Sequence, residues 1–269
     1  MSELVDPAAR KTVGIRDILR VLVTPRRVFA RVEDVAAWGW PLAILLTAVT
    51  LIGYATVETG LITREVDRQV RDRIAEIDRT QRDVVERSAL REMYEREWKK
   101  GEFEKLLAQI GVVVAEPAKA LASLLLIAVL LYGVVALTGR KPEWHTLLTI
   151  CVFASFIEVL RLLTALGLML HYGTLEVYTS LAPLTRYMAQ GHGANPKAVA
   201  AVAGLLSAVD PFRIWFWLVV ATGVSATAQL RGWRAWTVCG LCWLIAAGGR
   251  CALEIAKVPG AFGGAAAGG

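Results

Sequence analysis

Histidine, cysteine and catalytic motifs are all scarce in this chain, with 3 His and 4 Cys in 269 residues. His145, His171 and His192 stand far apart, so no His-based metal centre is expected. No H-E-x-x-H, G-x-S-x-G, Walker A or G-x-G-x-x-G pattern occurs. Zinc proteolysis, α/β-hydrolase chemistry and nucleotide binding are thus left without their usual loops. Cys239 and Cys242 form a C-x-x-C pair, but inside an apolar run. Redox and metal motifs of that spacing sit at a helix N-terminus, or in a knuckle with a second ligand pair. With neither context present, both thiols read as small packing residues. Cys151 and Cys251 are isolated, so no disulfide framework is implied. Nothing positive supports an enzyme, and no cofactor or metal is expected.

Charge is the next shortage. Only 20% of residues are charged against 55% hydrophobic, a balance rare in soluble domains and foreign to disordered chains. Residues 1–36 hold seven Lys/Arg and five Asp/Glu, residues 62–105 hold twelve of each sign, and the other 189 residues share 18. The net +6 therefore lies beside apolar runs rather than in a compact basic patch, and nucleic acid is not an expected partner.

What the chain has instead is membrane-length hydrophobic runs. About 20 apolar residues cross a bilayer, and five stretches qualify: Trp38 to Glu58, Lys119 to Thr138, His145 to Leu170, Phe212 to Leu230 and Ala235 to Ala256. Seven of the nine Trp stand where these stretches begin, the level at which an amphipathic ring favours the headgroups. The expected fold is all-α and polytopic, with five transmembrane helices and a charged helical insertion between the first two. Its parts are a basic N-tail (1–36), a five-helix membrane domain (37–256) with an insertion at 62–105, and a disordered Gly/Ala tail (257–269). The first span begins too late for a removable signal peptide to be expected.

Orientation depends on how the insertion is counted. The N-tail and the two short loops on its side carry 11 Lys/Arg, against 15 on the other side with the insertion and 3 without it. Short loops govern the positive-inside rule, and those on the N-tail side are basic apart from Glu143. The N-terminus is therefore expected in the cytoplasm.

Residues 62–100 read as helix, with no Pro or Gly until Gly101, where the helix is expected to stop. Ile62, Val66, Val70, Ile74 and Ile77 recur at three and four, and Val84, Val85, Leu90, Tyr94 and Trp98 extend the stripe. One straight helix of that length would reach about 55 Å, so it is expected to fold back or pack on something. Acid–base pairs such as Asp67–Arg71 and Asp78–Arg82 suit a solvated face. Val66, Val70, Ile74, Ile77, Tyr94 and Trp98 are the candidate surface for a partner or a second copy. The plainer reading is a solvated linker helix lying on the other extracytoplasmic loop.

In the N-tail, Ile15, Ile18, Leu19, Leu22 and Val23 oppose Arg10, Lys11, Arg16 and Arg20. This basic amphipathic segment is expected in the anionic inner interface. Arg16, Arg20, Arg26, Arg27, Trp38 and Trp40 would serve as anchors, either by simple attachment or by specific lipid recognition. Asn195 to Val209 reads as a short Ala-rich helix, re-entrant or surface-lying, leading to Asp210-Pro211, where Asp210 caps the fourth span.

Three segments, in order, resemble the Yip domain of the Ypt/Rab-interacting membrane proteins, a family with many bacterial members. They are Val21 to Phe29 (VLVTPRRVF) with Trp38 to Leu42 (WGWPL), Gly139 to Thr146 (GRKPEWHT), and Leu206 to Trp215 (LSAVDPFRIW). The likeness runs over roughly residues 15–256, and the charged insertion departs from the shortest members. The resemblance implies an integral membrane protein with its N-terminus inside and C-terminus outside, and without enzymatic activity. Eukaryotic relatives engage small GTPases and trafficking machinery, and some bacterial relatives look like accessory subunits of ABC exporters.

Ionisable residues within spans are costly and are functional candidates by default. Glu158 and Arg161 share a face of the third span, and Arg250 and Glu254 share a face of the fifth, at depths matching to a few ångströms. A four-member cluster is expected, Glu158 with Arg250 and Arg161 with Glu254, either locking helix packing or binding a substrate or lipid headgroup. The leading function is a non-enzymatic membrane scaffold or accessory subunit of a membrane complex, with transport as its setting. Besides the bilayer, its partner would be another membrane protein, an ABC exporter among the candidates, or a second copy. The alternative is a small transporter or lipid-handling protein that uses the charge cluster.

Overall fold

The computed structural model describes residues 14–31, 37–82, 85–175, 177, 179–181, 183–185, 195–227, 230 and 232–257. Arg10, Lys11, Val84, Arg186, His192, Arg231 and the tail from residue 258 lie outside them. The described residues form helices and no strand, the arrangement that satisfies an apolar chain's backbone in lipid. The helices are α1 (Ile15–Val23), α2 (Pro25–Phe29), α3 (Gly39–Glu58), α4 (Leu61–Gln81), α5 (Arg87–Ile110), α6 (Glu116–Leu137), α7 (Trp144–Ala154), α8 (Phe156–Tyr172), α9 (Pro196–Ala208), α10 (Pro211–Ala226) and α11 (Trp233–Ala256).

Four helical runs are long and apolar enough to cross a membrane: Gly39–Glu58, Arg87–Leu137, Trp144–Tyr172 and Trp233–Ala256. The fourth expected span differs. α10 has only 16 residues and stops at Ala226, too short alone, and becomes a fifth span only together with α9, from which it bends by 54°. The break is chemical: Pro211 cannot extend α9, and the Asp210 carboxylate recaps the chain by accepting the Phe212 N–H at 2.8 Å.

The second expected span does not begin at Lys119 but continues α5 without interruption, in a run of 51 residues. A proline at position 117 should break such a helix, because its ring collides with the carbonyl four residues earlier. The π-helical turn Gly111–Ala115 directly before it widens the coil and leaves room. α7 and α8 likewise form one 29-residue run, marked at Ser155, whose hydroxyl donates back to the Cys151 carbonyl at 2.8 Å.

The chain divides into two compact units. The first comprises residues 1–45, 123–161 and 178–269. Its centre is α7, in which every residue from Thr146 to Ala154 is buried, as expected of a helix apolar all round. α1 and α10 pack on it, and α2 packs on α10. Phe29 meets Phe153 edge-on at 6.5 Å, and Trp40 meets the same ring at 6.4 Å. The N-tail is therefore part of this core rather than a separate surface segment: Ile18, Val21, Val28 and Phe29 are all buried in it. α9 packs on α11 at Gly204, where a Cβ would lie 2.6 Å from the Cys251 Cα, so only glycine permits the crossing.

The second unit comprises residues 46–122 and 162–177. Gly60, at φ 68°, makes the left-handed turn from α3 into α4. α4 and α5 then pack as an antiparallel hairpin. The expected fold-back is thus present, with its break between Gln81 and Arg87. Gly101 is not a terminator: it lies inside α5 and receives the Val70 side chain.

Candidate functional site

The hairpin's polar contacts set its register. Lys105 pairs with Asp67 at 2.6 Å, Arg73 bridges Glu97 at 3.1 Å and Glu104 at 2.7 Å, and the Tyr94 hydroxyl donates to Asp78 at 2.7 Å. That hydrogen bond raises the Tyr94 phenol above its ordinary range, and the Glu104 bond raises the Arg73 guanidinium. Of the two solvated-face pairs expected, Asp78–Arg82 forms at 3.7 Å, whereas Asp67 reaches across to α5 instead of Arg71.

The candidate partner surface is largely turned inward. Val70 is fully buried and Val66 nearly so, and Ile74, Ile77 and Tyr94 are half-buried. Two apolar stripes on antiparallel helices bury each other before a partner can, so of the six only Trp98 stays exposed. The apolar stripe left facing out is Phe103, Leu106, Leu107, Ile110 and Val114, each at least half exposed. Its i, i+4, i+7, i+11 spacing was legible in the sequence, but it sat beyond the glycine read as a terminator.

At the other end of the N-tail reading, Arg16, Arg20, Arg26 and Arg27 are all exposed. Trp38 and Trp40 are partly buried against the first unit's core, so they are packing residues as well as interface residues. Asp17 is buried, accepts the Gly14 N–H at 3.0 Å and faces Arg20 and Arg31 at 3.6 and 3.7 Å. α1 also presents Ile15, Leu19 and Val23 outward, a second apolar stripe on the same short helix.

The intramembrane charges come together in a different pairing from the expected one. Arg161 forks onto Glu158 of its own helix, with Nε 2.9 Å from both carboxylate oxygens. Glu254 is bonded to Lys257 at 2.5 Å. Among the described residues, these ion pairs therefore run along helices rather than between α8 and α11. Glu158 lies in the first turn of α8, where the helix dipole favours a carboxylate. Arg250 lies within electrostatic reach of Glu158, Arg161 and Asp210. Asp210 is 3% exposed and also accepts the Thr179 hydroxyl at 2.7 Å. Glu158, Arg161 and Asp210 are thus the charges that Arg250 feels. With it they form a charged quartet of zero net charge, joined to Arg250 by field and not by direct ion pairs. Asp210 was legible as a helix cap, but no periodicity could bring a loop residue to this group.

Cys151, Cys239 and Cys242 are buried in the first unit's core, where they pack as small apolar residues. The Cys251 thiol donates to the Ala201 carbonyl at 3.6 Å, tying α11 to α9.

No curated protein and no solved structure matches the chain. The family model of the Yip1 domain matches residues 19–250, from within α1 through every membrane helix to the arginine of the charged quartet. This polytopic helical membrane protein therefore belongs to the Yip1 domain family.

Proposed function

We propose that the protein is a non-enzymatic membrane scaffold or accessory subunit that holds a second membrane protein through the α4–α5 hairpin. The observation that carries this reading is the outward stripe of Phe103, Leu106, Leu107 and Ile110. It stands on a hairpin whose own core and cross-helix ion pairs are already complete. Apolar side chains held rigidly at the edge of a charge-rich element are the kind of surface a partner helix covers. In this reading the chain lies in a bacterial inner membrane with its N-terminus cytoplasmic and the hairpin outside. The partner is an exporter-type membrane protein or a second copy. A transporter that uses the charge cluster is supported less, because Arg161 pairs with Glu158 and Lys257 with Glu254 along their own helices.

The test is a photo-crosslinker at Leu107 in cells, read by the mass of the product. A discrete protein adduct that disappears in Leu106→Glu/Ile110→Glu supports the reading. Labelling of lipid alone overturns it.

A further inference from the structure

α1 has two apolar sides, and the protein itself covers only one of them. Ile18 and Val21 are buried in the first unit's core. Ile15, Leu19 and Val23, spaced by four, point the other way and are each at least 67% exposed. At about 100° per residue these three cover an arc of about 80°, and Arg16 and Arg20 occupy the next 60° or so. α2 adds Arg26 and Arg27, both exposed. The one acid of α1, Asp17, is buried and faces Arg20 and Arg31. Among the described residues, Arg16, Arg26 and Arg27 have no acidic partner. The outward face is thus an apolar stripe bordered by uncompensated guanidinium groups. Water suits the charges and not the stripe, and hydrocarbon suits the stripe and not the charges. The boundary of a bilayer suits both, with apolar side chains among the upper acyl carbons and arginines reaching up to the phosphates. α1 packs on α7, which belongs to a membrane-length run, so that boundary is at hand. A zwitterionic headgroup carries its own ammonium beside the phosphate. A row of guanidinium groups without counter-charge therefore favours a lipid of net negative charge, which a planar fork can grip through its phosphate oxygens.

We propose that α1 and α2 form a docking surface for anionic phospholipid on the side of the membrane where the N-terminus lies. Ile15, Leu19 and Val23 enter the upper acyl layer, and Arg16, Arg20, Arg26 and Arg27 hold the headgroups. The surface belongs to the first unit and does not depend on what the α5 stripe binds.

The experiment reconstitutes the full chain in nanodiscs of phosphatidylcholine and phosphatidylglycerol with identical tails. One sample carries a photo-crosslinker at Leu19, and another at Leu126 on the exposed side of α6. Adduct masses give the ratio of the two lipids at each position. Phosphatidylglycerol is expected at Leu19 about fivefold above its share at Leu126, equivalent to about 1 kcal/mol. Arg16→Gln/Arg20→Gln/Arg26→Gln/Arg27→Gln removes the enrichment. With the native arginines, about 1 M salt lowers it, because screening then acts within about 3 Å. Equal lipid ratios at Leu19 and Leu126 in the native protein overturn the proposal, whether or not the arginine variant folds. So does the absence of a lipid adduct at Leu19, or an enrichment that persists without the four arginines.

Discussion

Phe29 shows at the residue scale what a hydrophobic pattern conveys and what it omits. Its place directly after Arg26, Arg27 and Val28 was legible, but not which apolar medium it would enter. It is fully buried, against Phe153, because a ring gains more from close-packed partners than from fluid lipid. Phe29→Ala is expected to lower stability by about 3 kcal/mol, most of it from the cavity left behind, measured by denaturant unfolding in detergent. Arg16→Gln, at an exposed position, should change it by about 0.5 kcal/mol or less. Among the charges, the fork of Arg161 onto Glu158 sets a different expectation. Glu158→Gln and Arg161→Gln should couple by about 1 kcal/mol in a double-mutant cycle. Glu158→Gln with Arg250→Leu should couple by less, because Arg250 reaches the group through space without a direct ion pair. Tyr94 adds a pH test. Its phenol is raised by the bond to Asp78, so the folded state favours the protonated form. That contribution is complete below about pH 10, the ordinary tyrosine value, and fades as pH climbs through the raised one. A stability–pH profile of Tyr94→Phe should lack this alkaline step.

Glycines decide which elements touch. Composition and periodicity placed the helices well, because a run of about 20 apolar residues has few alternatives in lipid. Pairings between helices were not legible, since they depend on where two backbones approach. At Gly204 the neighbour is the backbone of Cys251, which cannot swing aside. At Gly101 it is the Val70 side chain, buried and β-branched, which yields less readily than a flexible side chain but is not backbone. Gly204→Ala is therefore expected to displace α9 from α11 and to break the Cys251 thiol contact with Ala201. Gly101→Ala should cost less and leave the hairpin formed. Cysteine cross-linking across each helix pair reads both outcomes. An equal loss at the two positions would refute the distinction between rigid and yielding neighbours. The same logic explains the long Arg87–Leu137 run: a helix stop expected from Gly101 never came, because that glycine packs instead of turning.

For the molecule as a whole, the packing of the insertion bears on how orientation should be counted. Its charges are not a loose loop that weighs against translocation, since Arg73, Glu97, Glu104, Lys105 and Asp67 are tied across two packed helices. A folded element crosses largely regardless of its charge, so the short loops decide, and the one with Arg140 and Lys141 is basic. The N-terminus is then expected in the cytoplasm and the hairpin outside. The native thiols leave this testable with little background, because Cys151, Cys239 and Cys242 are buried and Cys251 is half-buried. In intact cells, a membrane-impermeant thiol reagent should modify Ser88→Cys on exposed α5 and spare Lys141→Cys, with both modified once the membrane is opened. The reverse pattern would place the hairpin in the cytoplasm. It would then show that twelve bases with twelve acids outweigh two short basic loops, and that any partner of the α5 stripe must be sought on the other side.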